Sequence, residues 1–161
     1  MAKHKSTTEP SILSSVRLRP LLPEERPRFD QLLQEPNYLH SCRLGGKSLR
    51  YVAELEGQWS ALIALSAPAL HLKSRENRIE WTSPQRARRL GFVVNNSRFL
   101  LLHERGTYPN LASRILALCL KRLNADWLQA WGEPVLPVES FVDESAYRAT
   151  CCRACCFEAV G

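Results

Sequence analysis

The chain has 161 residues, 45 % of them hydrophobic, which suffices for one packed domain. Its net charge of +6 and pI of about 9.2 favour acidic partners such as nucleic acid or phosphate-bearing ligands. No apolar run reaches the roughly 18 residues a membrane span needs, and "MAKHKSTTEP" carries no apolar secretory stretch, so no membrane partner is expected and a cytoplasmic setting with reduced thiols is.

Residues 1–15 read as a disordered N-terminal arm ahead of a single domain over 16–161. "VRLRPLLPEERPRFDQLLQEPNY" predicts a short strand, then a helix opening near Pro23 with Glu24 and Glu25 in its first turn and Phe29, Leu32 and Leu33 on its apolar face. "SLRYVAELEGQWSALIALS" is the clearest hairpin signal. Leu49, Tyr51, Ala53 and Leu55 alternate with polar or smaller residues, "EGQ" turns, and Trp59, Ala61, Ile63 and Leu65 alternate on the return. A short helix is expected around Ala67–Arg75, and a second from Ser83 as N-cap, with Pro84 at the first helical position and "QRARR" behind it. "FVVNNSRFLLLHE" is strongly β-prone. Asn110 is expected to cap the helix "NLASRILALCLKRLNADWLQAWG", "PVLPVESFVD" to form a strand, "ESAYRATCCRACC" a helix and "FEAV" a last strand. The expected order is β-α-β-β-α-α-β-α-β-α-β, an α/β fold built as a mixed α+β sheet flanked by helices.

Several residues are candidates for chemistry. Asn95, Asn96 and Arg98 are polar groups inside an apolar strand; they form either a ligand-facing patch or a bulge with an exposed arginine. Glu139 and Asp143 lie two residues either side of Phe141 and are the only catalytic candidates, as a base or a metal-binding pair. Their competing roles are an ion pair with an arginine for Glu139 and a helix cap for Asp143. Arg86, Arg88 and Arg89 form either a phosphate-binding face for nucleic acid or a solvated helix face. Trp81, Trp127 and Trp131 read as packing residues rather than base-stacking platforms. No nucleophile elbow, Walker loop, dinucleotide fingerprint or Ser-His-Asp arrangement is present.

Four of the six cysteines, Cys151, Cys152, Cys155 and Cys156, crowd into "CCRACC". On a helix they pair at spacings of three and four, but structural zinc takes four ligands, usually as two separated pairs. They are read as packing on a helix face, with metal affinity and redox chemistry as the alternatives; no metal site is expected.

Three segments, "LRYVAELEGQWSALIALSAPA", "IEWTSPQRARRLGFVVNNSRFLLL" and "NLASRILALCLKRLNADWLQAWGEPVLPVESFVDESAYRAT", taken in this order resemble the DruA family of Druantia-type anti-phage systems, whose domains also occur in mobile elements. The likeness covers about residues 16–161. It implies a role in anti-phage defence or in a mobile element, with nucleic acid or other defence-system proteins as partners. The chain departs from the family pattern near its end, where Ala149 stands for a glycine and Cys152 for a tyrosine. The family continues past Gly161, so the domain is expected to be truncated, with its last strand missing a neighbour.

The element order also resembles the GNAT acyltransferase fold. That resemblance would place a cleft between the strand 92–103 and the helix from Asn110, with the backbone from Leu111 to Ser113 holding an anion. The ligand-binding set on this reading is Asn95, Asn96, Arg98, Asn110 and Ser113. "RGTYPNLAS" matches the glycine-rich phosphate turn of acyl-CoA enzymes weakly, since Pro109 removes a donor and a second glycine is missing. Three molecular roles therefore stand open: a nucleic-acid-associated module, an acyltransferase using acetyl-coenzyme A, and an inert truncated fragment.

Overall fold

The computed structural model describes residues 9–34, 44, 46–68, 73–104, 106–140 and 155. The elements are α1 (Glu9–Ser15), β1 (Arg17–Pro20), α2 (Arg26–Gln34, after a 3-10 turn at Pro23–Glu25), β2 (Ser48–Leu55), β3 (Gln58–Ser66), α3 (Lys73–Ile79), α4 (Ser83–Arg89), β4 (Val94–Leu101), α5 (Leu111–Trp131) and β5 (Val138–Ser140). The five strands form one sheet in the order β1-β2-β3-β4-β5. Neighbours are antiparallel except β5, which returns parallel to β4 after the α5 crossover. This is the mixed sheet with flanking helices that the sequence predicts.

The β2–β3 hairpin turns on two residues, Glu56 (φ +52°) and Gly57 (φ +78°). Two positive φ values in a two-residue loop match the twist of the flanking strands, which makes this turn well suited to a tight hairpin. The central strand β3 is buried along all but its first residue, because the sheet is covered on both faces. On one face Tyr51, Ala53, Ile63, Leu65 and Val94 pack under α5, which contributes Leu111, Ile115, Cys119, Leu123 and Trp127 at i, i+4 and i+8 spacings. On the other, Val52, Leu62 and Ala64 pack under Phe29 and Leu33 of α2.

Two bulges reset the faces. Ala53 pairs with Ala61 and Glu54 with Trp59, which leaves Ser60 as an extra residue in β3. Trp59 therefore packs on the α2 face with Leu62, not on the α5 face with Ala61 and Ile63 as plain alternation predicts. In β4, Ala64 pairs with Arg98 and Leu65 with Asn96, so Ser97 is extra. This is why Val94 and Phe99, an odd number of residues apart, reach the same core.

The structure departs from the sequence reading in several places. Residues 9–15, expected within a disordered arm, form α1, and Ile12 and Leu13 pack against the α5-side core; this apolar contact supports an otherwise polar segment. The first short helix runs Lys73–Ile79, further along than the expected 67–75. The N-cap of α4 is Thr82, one residue before Ser83, and Gln85 reaches back to the Thr82 N–H at 2.9 Å. Phe92 ends a 3-10 turn rather than opening β4. The expected helix over 144–156 and the strand after it lie outside the described residues, Cys155 excepted.

Candidate functional site

The two pairings beyond the α2 contact convert the sheet from apolar to polar. The row Val52–Leu62–Leu100 is followed by Arg50–Ala64–Arg98, and then by Ser48–Ser66–Asn95–Glu139 crossing four strands on the same face. Arg50 Nη1 donates to Ser48 Oγ at 3.2 Å, and Arg98 Nη1 donates to the Ser97 carbonyl at 2.6 Å. The hydroxyls of Ser66 and Ser97 bond to each other, and Asn95 Nδ2 donates to Ser97 Oγ at 3.3 Å. Asn96 faces the α5 side, where its Nδ2 donates to Ser140 Oγ at 3.4 Å. The Oδ1 atoms of both asparagines are buried with no hydrogen-bond partner. Each such orphaned acceptor costs on the order of 1–3 kcal/mol, a cost that an N–H or O–H donor from a bound ligand would relieve.

Glu139 lies on β5 opposite Asn95 and accepts from Arg75 Nη1 on both carboxylate oxygens at 3.0 Å. The two side chains are 14 % and 5 % exposed. The carboxylate is thus engaged in an ion pair that ties α3 to the edge of the sheet. Its suggested companion Asp143 lies outside the described residues. Among the described residues no three His, Cys, Asp or Glu side chains gather as metal ligands.

Asn110 and Ser113 lie at the opposite end of β4. From Asn96 to Leu101 the strand alone covers about 16 Å, and the loop to α5 follows. Asn110 occupies the N-cap position with φ +62°, but its side chain makes no cap hydrogen bond. The Leu111 N–H donates to the Tyr108 carbonyl at 3.3 Å. Arg114 Nε reaches the Leu13 carbonyl at 3.3 Å, and Cys155 Sγ donates to the Ser113 carbonyl at 3.4 Å, so α1 and Cys155 both approach this first turn. Pro109 offers no N–H. One of the three expected donors is spent internally and the turn is partly covered, so this turn offers less to an anion than the sequence reading expects.

One contact escapes sequence reading altogether. Ser60 Oγ lies 2.8 Å from His103 Nε2, and the His103 ring meets Tyr108 edge-on at 4.8 Å. Ser60 is fully buried in the β3 bulge. A hydroxyl so enclosed serves to pin the end of β4 rather than to attack a substrate. The two residues are 43 positions apart, so no spacing signals the pair.

The third candidate region is α3–α4. Arg86, Arg88 and Arg89 occupy the last turn of α4, where positive charge complements the helix dipole. Arg88 and Arg89 are exposed and Arg86 half-buried. Residues 73–89 hold six of the chain's 22 Lys and Arg but two of its 16 Asp and Glu.

The model of the family described as Druantia protein DruA matches residues 4–148. No curated protein and no solved structure matches the chain significantly.

Proposed function

The chain belongs to the DruA family, and from that membership we propose that it is a nucleic-acid-associated module of an anti-phage defence system or a mobile element. The supporting observation is the exposed arginine turn at the end of α4, set in a segment with a threefold excess of basic over acidic residues. A phosphate backbone neutralises such a turn and releases counterions, which makes affinity salt-dependent. The test is fluorescence anisotropy of a labelled DNA titrated between about 50 and 200 mM salt. With three phosphate contacts, the log–log slope is expected near −3, falling in magnitude by about 1 for each of Arg88→Gln and Arg89→Gln. Binding that ignores salt, or that both substitutions leave unchanged, removes this reading.

A second reading has one observation in its favour. Four antiparallel strands followed by a helical crossover and a parallel fifth strand is consistent with the element order on which the likeness to the GNAT acyltransferase fold rests. The start of α5 speaks against coenzyme A at the expected place. The acyltransferase reading therefore ranks below the nucleic-acid one, and fold alone does not carry an activity.

A further inference from the structure

We propose that α3–α4 is a platform for single-stranded nucleic acid, on which Trp81 stacks a base while the last-turn arginines of α4 hold phosphates further along the same strand. The inference rests on the nucleic-acid reading above and narrows it to one class of strand.

Trp81 is the starting point. Among the described residues it is partly exposed and belongs to neither of the two core clusters, unlike Trp59 and Trp127, which are built into them. An indole left outside the core is available for contact with a partner. The backbone around it is tightly held. Glu80, immediately before, ends α3 in the left-handed region at φ +57°, a conformation a non-glycine residue keeps only where its surroundings hold it. Thr82, immediately after, starts α4 with a reciprocal capping box to Gln85. The position of Trp81 is thus fixed from both sides, as a stacking surface requires for low ordering cost.

The helix that follows has no core role. None of the residues of α4 is buried, although α4 has a built N-terminus and carries three arginines in its last turn. Core packing does not call for three arginines here; they complement the helix dipole and present positive charge that a phosphate backbone can use. At 1.5 Å per residue, the seven residues of α4 place those arginines about 10 Å from Trp81. That distance is about three nucleotides at the 3.4 Å axial rise of a stacked strand, and fewer where the strand is extended. The pair is also held to the body of the protein, since the buried Arg75–Glu139 contact fastens α3 to β5. Bases in a duplex are already stacked and hidden from an indole, whereas those of a single strand present their faces to aromatic side chains.

The experiment compares the full chain binding labelled oligo(dT), oligo(rU) and a mixed-sequence duplex. It uses wild type, Trp81→Leu, Trp81→Phe and Arg88→Gln, each checked for an unchanged melting temperature. Tighter binding to the single strands than to the duplex is expected. Trp81→Leu is expected to weaken single-strand binding by about 5- to 150-fold, the range for loss of one stacked base, with duplex binding and the salt slope unchanged. Trp81→Phe keeps most of the affinity but loses the tryptophan quenching that single strands produce in wild type. Arg88→Gln lowers the salt slope by about 1. The two single-strand arms show whether the 2′-hydroxyl matters.

Equal affinity for duplex and single strand, with Trp81→Leu silent and Arg88→Gln weakening both, overturns the platform and leaves the nucleic-acid reading standing. Absence of binding to any of the three at low salt overturns both.

Discussion

Arg19 gathers two carboxylates from different elements. Its guanidinium reaches Glu25 at 2.7 and 2.8 Å and Glu54 at 2.9 Å, tying β1 to the turn before α2 and to β2. The Arg19 hydrogen bonds, aided by the Leu22 N–H, hold the Glu25 carboxyl down at about 2. A depressed carboxylate contributes stability that is present in full above its unfolded value, near pH 4.5, and is lost as pH falls through about 2. Thermal melts from pH 6 to pH 2 are expected to show Glu25→Gln losing less stability than wild type across that window. Parallel curves would mean that the bridge contributes nothing to acid sensitivity. On α5, burial works against the ionised Asp126 carboxylate, but the Arg122 and Tyr51 hydrogen bonds at 2.6 and 2.7 Å bring it below its ordinary value. Burial pushes the nearby Cys119 thiol up to about 12, which keeps it protonated and unreactive at neutral pH. Of the "CCRACC" thiols, Cys155 is described, and its Sγ contacts the Ser113 carbonyl as a weak donor; Cys151, Cys152 and Cys156 lie outside the described residues.

Among elements, the join between α3 and β5 depends on Arg75 and Glu139. Removing one partner of a buried pair takes away compensation for the other charge, at a cost of up to about 3–5 kcal/mol. Glu139→Ala is expected to lower unfolding free energy in urea by that order, and Arg75→Leu/Glu139→Leu to recover part of the loss. A single-variant loss under about 1 kcal/mol would show that the pair does not anchor the helix. How much of this was legible from the chain varied by element. The hairpin was, because "EG" between two alternating runs has one good backbone solution. The oddness of Asn95, Asn96 and Arg98 in an apolar strand was also visible, and they do sit in the polar end of the sheet. The bulges at Ser60 and Ser97 were not, since one extra residue in a strand appears only once its partner strand is known. Arg75 was hidden too: it sits in the polar stretch "KSRENR", and its buried fate depends on a strand 64 residues away. Helix α1 was missed because two apolar residues in a polar segment give no period to read.

At the scale of the molecule, the two proposed readings call for different ligands, and the start of α5 is where they can be told apart. A thermal-shift titration with acetyl-coenzyme A is expected to give no stabilisation of the folded chain, because the turn before α5 spends its Leu111 donor on Tyr108. Saturable stabilisation of a few kcal/mol at ligand far above its dissociation constant would instead restore the acyltransferase reading. Among the described residues no helix is long and apolar enough to cross a membrane. The two-residue turn at Glu56–Gly57 also has a consequence for the order in which the chain assembles. Hairpin β2–β3 closes with almost no loop entropy to overcome, whereas β5 reaches β4 only once the whole of α5 has been brought back across the sheet. The hairpin is therefore the natural folding nucleus, and the polar row that ends on Glu139 is completed late, as the last piece of the sheet to acquire its partner.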